Sequence, residues 1–470
     1  MQAADSNNEL RALSTEAASK YILPRNQWGP ADEALYGVGD IFDVEKGKAE
    51  ELRFKAIKYA FDYHYSNNRF YRQFCQQRKV KPDDIREQSD FCKIPLIPDT
   101  FFKDYPEGMD FARWLGEVFT GEMPNPTLRN NNPSFDEVMD ALEEREVLVL
   151  FSSGTSGRFS FIPKDETSRL RQMYAVFHSC EMMPDVTNLK MFPLTFHPRQ
   201  NRLFLLRVLG TLTHELVSEE EQRKAAAGKG KGVKLTTDMI RLSMGITKGI
   251  REKVKARAAL VIIRRRNEKL LNDTVSFLEK CHKEKENTIF GGTPFTVDGL
   301  LSRLEEQGKK LDLGGSLVIT GGGWKLQEGS KISEKDFSKR VEKVLGIPNE
   351  RCIDIYGMVE CSVMAMACEG HYKHIPHSIL YPMVLDEDFK PLGYGEYGRY
   401  AFLDPLANSY PGFIVTGDRV RILESCPVCN RPGPVIEPDI SRVKGAEDRG
   451  CGGVMRSVLA GELTGAGKED

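Results

Sequence analysis

The chain has 470 residues, and its 66 basic and 68 acidic residues leave a net charge of -2. Single hydrophobic cores stop growing at roughly 250 to 300 residues, so this length predicts at least two domains. The balanced charge gives no global field toward nucleic acid or anionic membrane, and no apolar run approaches the roughly 20 residues of a membrane helix. The N-terminus MQAADSNNELRAL lacks the apolar region of a signal peptide. We therefore expect a cytosolic protein without a membrane span or a nucleic-acid partner.

Residues 1–145 are predicted to be the helical N-terminal part of a large domain. Apolar residues recur at helical spacing between Glu50 and Gln77, and the segment KIPLIPDTFFKDY that follows is predicted to be a proline-punctuated loop. Residues Glu146 to Phe151 form an apolar strand pattern that runs into SSGTSG, and a helix is predicted over Arg169 to Met183. We expect strand, small-residue loop and helix in that order.

The stretch from Leu216 to Asn287 is strongly basic and helical in pattern. Because Phe277 is its one aromatic residue able to stack a base, a solvated helical insertion is favoured over an RNA-binding arm. Short apolar segments bounded by Gly or Pro follow at 288–290, 316–320, 352–356, 379–385 and 399–403. They predict an α/β core over 146–440 with mixed sheets and flanking helices, followed by a short C-terminal segment, 441–470.

Four motifs along this core have properties suited to a nucleotide. The loop Ser152-Ser153-Gly154-Thr155-Ser156-Gly157 offers hydroxyls and backbone N–H groups to anionic oxygens, although it lacks the Gly-Lys-Ser/Thr ending of a P-loop. Gly321-Gly322-Gly323 would let a flat ligand lie against backbone. Tyr356 and Gly357 precede Glu360, which gives an aromatic face for a base and a carboxylate for Mg²⁺. Asp418, in Thr-Gly-Asp, could accept both ribose hydroxyls.

These motifs, in this order, resemble those of the adenylate-forming (acyl-adenylate synthetase) superfamily. The segments FDYHYSNNRFYRQFCQ, IPDTFFK, SSGTSG, GGTPF and ITGGGWK are further similar to the acyl-protein synthetase (LuxE-type) family of bioluminescence fatty-acid reductase complexes. The same stretches also resemble phenylacetate-CoA ligase-like enzymes. The resemblance runs from about Phe54 to Cys451, and the basic stretch is expected to lie outside it.

The resemblance implies a site for ATP and Mg²⁺. The loop Ser152 to Gly157 would hold phosphates, Gly321 to Gly323 and Tyr356 would flank adenine, Glu360 would bind Mg²⁺, and Asp418 would bind ribose. Arg442, in ISRVKG, stands where the family's ribose-contacting arginine is found.

The sequence departs from the superfamily pattern in two places. Lys164 lies far from the loop for a phosphate lysine. The usual C-terminal lid domain is expected to be truncated, since 28 residues follow Arg442, and this favours transfer to a protein over a CoA ligase.

The chemistry implied is ATP-dependent activation of a carboxylic acid, long-chain fatty by the resemblance, to an acyl-adenylate. A thiol then accepts the acyl group and AMP is released. A fatty-acyl reductase or an acyl-carrier protein is the expected partner. Cys451 in RGCGG is interpreted as the acceptor thiol, because it is flanked by glycines and lies near basic residues. The alternative is that Cys451 is an incidental cysteine in a poorly ordered tail. The competing functions are a CoA ligase and a nucleotide-binding protein that has lost catalytic activity.

Cysteine and histidine spacing also predicts a structural Zn²⁺ site. Cys426 and Cys429 form a CxxC pair, and Cys368 lies upstream with His371, His374 and His377. Resemblance to phenylacetate-CoA ligase-like enzymes favours His374 as the fourth ligand, with the other two histidines remaining open. Buried cysteines beside surface histidines are the alternative. The remaining cysteines at 75, 92, 180, 281 and 352 are interpreted as packing residues, and Cys361 lies near the site only by adjacency to Glu360.

Overall fold

A computed structural model of the chain describes residues 9–153, 158–191, 201–216, 236–243, 250–323 and 332–443. The helices are α1 Glu9–Ser19, α2 Pro30–Tyr36, α3 Lys46–Asn67, α4 Arg69–Gln77, α5 Met109–Val118, α6 Phe135–Glu143, α7 Glu166–His178, α8 Phe204–Leu216, α9 Thr237–Ser243, α10 Ile250–Glu284, α11 Pro294–Glu306 and α12 Glu334–Leu345. The strands are β1 Ile97–Pro98, β2 Leu148–Ser153, β3 Phe159–Lys164, β4 Leu189–Met191, β5 Asn287–Gly292, β6 Leu317–Gly321, β7 Cys352–Tyr356, β8 Ala365–Ala367, β9 Lys373–His374, β10 Tyr381–Leu385, β11 Pro391–Leu392, β12 Tyr397–Leu403, β13 Phe413–Leu423, β14 Val435–Ile436 and β15 Ser441–Arg442. The predicted α/β class with a mixed sheet is confirmed.

One large sheet changes from parallel to antiparallel along its width. Its strand order is β11-β10-β12-β13-β14-β9-β8-β7-β6-β5-β4, with β1 and β15 also paired to β13. Strands β4 to β7 are parallel, because α11 and α12 carry the chain back between β5, β6 and β7. From β7 to β11 each neighbouring pair is antiparallel. The change from parallel to antiparallel pairing therefore occurs at β7, which pairs in parallel with β6 and antiparallel with β8.

The hairpin of β2 and β3 corrects the predicted order of strand, loop and helix. The two strands pair antiparallel from Leu148↔Lys164 to Ser153↔Phe159, so the loop between them joins two strands. The helix α7 begins only at Glu166, after β3, with the Asp165 carboxylate accepting from the Ser168 N–H. The phosphate-loop motif is therefore at a hairpin end and not at the N-terminus of a helix.

The N-terminal part is helical, with one interruption and one short strand that the sequence did not predict. Asn68 divides the predicted helix into α3 and α4, because its side chain accepts from the Tyr71 N–H and caps the second helix. The segment predicted as a loop contains β1, which pairs with β13, and a 3₁₀ turn over Asp99–Lys103. The domain boundaries at 145 and 440 stay predictions.

The basic stretch is helical where the structure describes it, in α9 and α10. The C-terminal end of α10 packs with α11 and α12 against the parallel strands, with Leu278 and Cys281 buried there. Within the described ranges, no helix is both long and apolar enough to cross a membrane. The segment expected to replace the lid, from residue 444 onward, lies outside the described residues.

Candidate nucleotide site and thiol cluster

Tyr356, Asp418 and Arg442 come from three separate motifs and meet in one hydrogen-bonded group. Asp418 in β13 lies opposite Arg442 in β15. The Arg442 Nη1 donates to Asp418 Oδ1 at 2.8 Å, and the Tyr356 hydroxyl donates to Asp418 Oδ2 at 2.7 Å. Burial, and then the Asp418 carboxylate, raises the pKa of Tyr356 well above its ordinary value, so this hydroxyl stays a donor. The carboxylate is thus held at a fixed orientation beside a tyrosine ring.

The three glycines lie at the end of the strand next to Tyr356. Because β6 and β7 are parallel with Gly321 opposite Ile355, Gly321 and Tyr356 lie at the same edge of the sheet. Gly322 and Gly323 have φ of 77° and 63°, a conformation that other residues rarely adopt. A Cβ on Gly321 would lie 3.3 Å from the Ile355 carbonyl oxygen. This edge therefore presents bare backbone beside an aromatic ring.

Glu360 is buried on the turn that follows β7, and burial raises the pKa of its carboxyl. Two side chains that the sequence did not indicate hold this turn. The Tyr410 hydroxyl donates to the Glu360 carbonyl oxygen at 3.0 Å, and the Ser362 N–H donates to Asp404 Oδ2 at 2.7 Å. Asp404 is fully buried just after β12, and a buried aspartate at a strand end is the signal that could have found it.

The phosphate-loop motif is described only at its edges. Ser152 and the backbone of Ser153 end β2, and Arg158 begins the chain again before β3. The predicted ligands Gly154, Thr155, Ser156 and Gly157 lie outside the described residues. Ser152 pairs with Ser160 across the hairpin, so the loop is anchored on two paired strands.

Lys164 cannot serve this loop. It lies at the far end of the hairpin, opposite Leu148, and the five residues from Phe159 span about 17 Å of strand. Its side chain is fully buried and its Nζ donates to the Tyr410 hydroxyl at 3.3 Å. Burial lowers the pKa of Lys164 to about 8, despite neighbouring carboxylates such as Asp404 that favour the charged form. Lys164 therefore belongs to the support of the Glu360 turn.

The sulfurs of Cys368, Cys426 and Cys429 and the imidazole of His374 form a compact cluster. One ligand atom from each residue lies within 4.8 Å of the others. Cys368 Sγ is 3.7 Å from Cys426 Sγ, and Cys429 Sγ is 3.1 Å from His374 Nε2. The cluster lies beside the pairing of β9 with β14, in which His374 is opposite Val435.

The structure separates the three histidines that the sequence left open. His371 Nε2 is 2.7 Å from Asn349 Oδ1, and His377 Nε2 is 2.8 Å from the Val44 carbonyl oxygen. His374 alone of these three joins the cysteines. Three thiols and one imidazole at these distances suit a tetrahedral Zn²⁺ ion.

The other described cysteines divide into buried and exposed ones. Burial raises the pKa of the thiols at positions 75, 180, 281, 352 and 361. Cys92 is exposed, so its interpretation as a packing residue was wrong. Cys451 lies outside the described residues.

Comparison with known proteins agrees with the resemblance found in the sequence. The sequence model of the family described as "Acyl-protein synthetase, LuxE" matches residues 264–460. This match begins within α10, so part of the basic stretch lies inside the resemblance. The expectation that the whole stretch lies outside it was wrong. Two curated relatives are long-chain-fatty-acid–luciferin-component ligases. The Aliivibrio fischeri protein is 24% identical over 87% of this chain and 89% of its own length. The Vibrio harveyi protein is 23% identical over 86% of each chain.

Solved structures of an adenylate-forming ligase share the fold. The chain is similar to 2-hydroxyisobutyryl-CoA ligase in complex with 2-HIB-AMP and CoA, with a TM-score of 0.51 and 14% identity over 86% of this chain and 77% of that one. The same ligase in its thioesterification state gives a TM-score of 0.52 at 14% identity, over 90% of this chain and 74% of that one. The predicted resemblance is confirmed: the chain is similar to the LuxE acyl-protein synthetases in sequence and to 2-hydroxyisobutyryl-CoA ligase in fold.

Proposed function

We propose that this chain is an AMP-forming acid–thiol ligase, which activates a carboxylic acid with ATP and passes the acyl group to a protein thiol. The observation that carries the proposal is the convergence of Tyr356, Asp418 and Arg442 beside the bare backbone of Gly321 to Gly323. An oriented carboxylate accepts two vicinal hydroxyls well, and a ring beside glycines leaves a slot for a flat base. Ribose and adenine would occupy these two places.

Glu360 would hold Mg²⁺, which when bound neutralises charge on the phosphates of ATP. The fit rests on a hard oxygen ligand in a buried position on a turn whose backbone is fixed by Tyr410 and Asp404. The other residues of the site would position the two reacting groups. They would hold the α-phosphate where the oxygen of the substrate carboxylate can attack it in line.

Two bond exchanges make up the reaction. In the first, the acid's carboxylate oxygen bonds to the α-phosphorus, the bond to the bridging oxygen breaks, and pyrophosphate leaves. In the second, a thiolate bonds to the acyl carbon, the bond to the AMP oxygen breaks, and AMP leaves with both electrons of that bond.

A long-chain fatty acid is the substrate that the names of the curated relatives favour. A cavity of about 340 Å³ between β2, α7 and α8 offers room for an acyl chain, with Leu148, Leu150, Met173 and Val208 among its lining residues. Its wall also includes Gln172, whose Nε2 donates to the Cys361 carbonyl oxygen at 3.1 Å. The cavity is thereby adjacent to the turn that carries Glu360. A fatty-acyl reductase or an acyl-carrier protein would then take the acyl group.

Cys451 is proposed as the acceptor thiol, and the other cysteines support this by their environments. Five thiols are buried with a raised pKa, which disfavours the thiolate that must attack. Three more form the cluster with His374. Cys92 is exposed, and its Sγ donates to the Ser89 carbonyl oxygen. It therefore provides a matched control for Cys451.

The acceptor experiment uses Cys451→Ser and Cys92→Ser. Each protein is incubated with ATP, Mg²⁺ and a labelled fatty acid, and then treated with neutral hydroxylamine, which cleaves thioesters. We expect wild type and Cys92→Ser to accumulate hydroxylamine-labile acyl-protein and Cys451→Ser to accumulate none. Equal labelling of Cys451→Ser would refute the acceptor assignment. Release of free acyl-CoA on addition of CoA would instead support the second candidate, a CoA ligase, which shares the fold of the solved structures above.

A structural Zn²⁺ ion is also proposed, held by Cys368, His374, Cys426 and Cys429. The support is the donor set and its spacing, together with His374 Nε2, which lies 3.1 Å from Cys429 Sγ. With four protein ligands the site would be closed to water, so the ion would stabilise the junction of β9 and β14 and take no part in the reaction.

A further inference from the structure

The segment from Asp99 to Tyr105 carries part of the family resemblance, but no function has been assigned to its side chains. Its first end lies beside the ribose-binding carboxylate. Strand β1 pairs in parallel with β13, with Pro98 opposite Val415. Asp99 therefore follows at the level of Thr416, two residues before Asp418 in the same strand.

The other end of the segment is fixed to the phosphate-loop hairpin. Asp104 forms an ion pair of 3.5 Å with Arg158, the first described residue after the loop. The Tyr105 hydroxyl accepts from the Phe159 N–H at 3.2 Å. Two contacts thus hold residues 104–105 at the base of the loop that would bind phosphates.

The middle of the segment packs against the support of Glu360. The rings of Phe102 and Tyr410 are 6.1 Å apart and nearly perpendicular, and the Tyr410 hydroxyl donates to the Glu360 carbonyl oxygen. Lys103 forms an ion pair with Asp99 at 2.8 Å, one helical turn earlier, and each side chain is only 14% exposed.

We propose that Lys103 is the cation that binds the β- and γ-phosphates of ATP, which become the leaving pyrophosphate. The contacts of its neighbours place this turn between Arg158 and Phe159 of the β2–β3 hairpin, the ring of Tyr410, and strand β13 just before Asp418. The loop SSGTSG contains no basic residue, and Lys164 points into the core at the far end of the hairpin. A polyphosphate bound here needs positive charge beyond Mg²⁺, and Lys103 is the lysine that the fold supplies at this point.

Asp99 holds this ammonium group before ATP arrives. The pair with Asp99 compensates the charge of Lys103 while no nucleotide is bound, and the phosphates of ATP compete with Asp99 for this lysine. Bound phosphate offers Lys103 a stronger partner than Asp99, since a polyphosphate carries more charge than a single carboxylate. This inference rests on the proposed function, because it requires ATP as the nucleotide.

The decisive measurement is the affinity of Lys103→Met for ATP and for AMP. AMP lacks the β- and γ-phosphates, so the proposal predicts that Lys103→Met binds Mg-ATP about tenfold to a hundredfold more weakly while its affinity for AMP is unchanged. Lys103→Arg, which keeps the charge, should recover most of the ATP affinity. Titration calorimetry on the whole chain gives both constants.

Two further variants separate a binding role from a structural one. Lys55 forms a similar i,i+4 ion pair with Glu51 on the exposed face of α3, so Lys55→Met is the matched control and should bind ATP as wild type does. Asp99→Asn breaks the Lys103 ion pair but keeps the lysine. If the pair merely stabilises the turn, Asp99→Asn loses ATP affinity as Lys103→Met does, and the proposal is wrong. If Lys103 binds phosphate, Asp99→Asn binds ATP at least as tightly as wild type.

Failure of this inference and failure of the proposed function give different results. A wild-type chain that binds neither Mg-ATP nor AMP contradicts the proposed function itself. A wild-type chain that binds both, with Lys103→Met showing the same ratio of ATP to AMP affinity, overturns the role of Lys103 alone. Should Lys103→Met not fold, Lys103→Gln under the same two titrations decides between these outcomes.

Discussion

The nucleotide site and the thiol cluster each join residues from separate strands or loops of the large sheet, but they are held together differently. At the nucleotide site, both oxygens of Asp418 already accept hydrogen bonds, one from Tyr356 in the parallel half and one from Arg442. In the cluster, Cys368 contacts Cys426 and Cys429 contacts His374, so the potential ligands face one another. At the nucleotide site the carboxylate has hydrogen-bond partners without a ligand, whereas in the thiol cluster the sulfur and nitrogen atoms are directed at a common centre.

This difference indicates that the chain alone organises the nucleotide site, whereas the thiol cluster would need a bound ion to hold its side chains in place. Hydrogen bonds between fixed strands preorganise the carboxylate, so the ligand that binds there has little ordering to impose. Thiols make only weak hydrogen bonds, and β9 and β14 are joined by only two residue pairs, Val435↔His374 and Ile436↔Lys373. We therefore expect the cluster to contribute to stability and the carboxylate group to contribute to catalysis.

The largest effect is expected from breaking the nucleotide site. Asp418→Ala removes the ribose acceptor and Glu360→Gln removes the charge on the proposed Mg²⁺ ligand. Each should lower acid-dependent exchange of pyrophosphate into ATP by about a thousandfold, since the lost contact stabilises charge in the transition state. Asp298→Ala, which breaks an ion pair with Arg340 between α11 and α12, is the control and should retain exchange. Near-wild-type exchange in both site variants would refute the assignment.

Breaking the cluster should instead change stability. Wild type should contain one Zn²⁺ per chain by elemental analysis, and Cys426→Ser should contain none. The substitution should also lower the midpoint of thermal unfolding by about 5 °C or more. Cys92→Ser, an exposed thiol outside the cluster, should change neither quantity. A metal-free wild-type chain with the same unfolding midpoint as a zinc-loaded one would contradict the structural role.

A smaller effect is expected from the support of the Glu360 turn. Asp404 accepts from the N–H groups of Ser362 and Leu406, and Asp404→Asn weakens both hydrogen bonds. We expect the Mg²⁺ concentration for half-maximal exchange to rise about tenfold, because the carboxylate of Glu360 is no longer fixed. Affinity for AMP without Mg²⁺ should not change. If Asp404→Asn weakened AMP binding as much as it weakened the response to Mg²⁺, Asp404 would support the fold in general and not Glu360 in particular.

The smallest effect is a pH dependence from Lys164. Burial lowers the pKa of Lys164 to about 8, whereas in the unfolded chain a lysine titrates at about 10.4. Between these values the unfolded chain binds more protons, so this group makes the free energy of unfolding rise with pH over that window. Its full penalty, on the order of 1 to 3 kcal/mol, is present below pH 8.

Lys164→Met removes this contribution. Urea unfolding at pH 7 and at pH 10 should therefore show Lys164→Met gaining stability over wild type at pH 7, with the difference shrinking at pH 10. Lys55→Met, at an exposed position, should show no such change. A difference between Lys164→Met and wild type that is constant with pH would show that Lys164 does not titrate in this window.

The sequence by itself determined the local elements and the order of the motifs. The strand over Cys352–Tyr356 was predicted at its observed bounds, because a short apolar run between polar segments has few alternatives. The roles proposed for Glu360 and the CxxC pair follow from residue type, since oxygen ligands suit Mg²⁺ and sulfur ligands suit Zn²⁺. Family and reaction class followed from these residues in sequential order.

Only the tertiary structure decided which residues share a site. Strand pairing chose His374 over His371 and His377, because β9 places it opposite β14. The pairing of β1 with β13 brought Asp99 close to Asp418 along β13, and the register of β2 with β3 took Lys164 away from the loop. Such contacts depend on strand order and register, which local hydrophobic patterns do not encode.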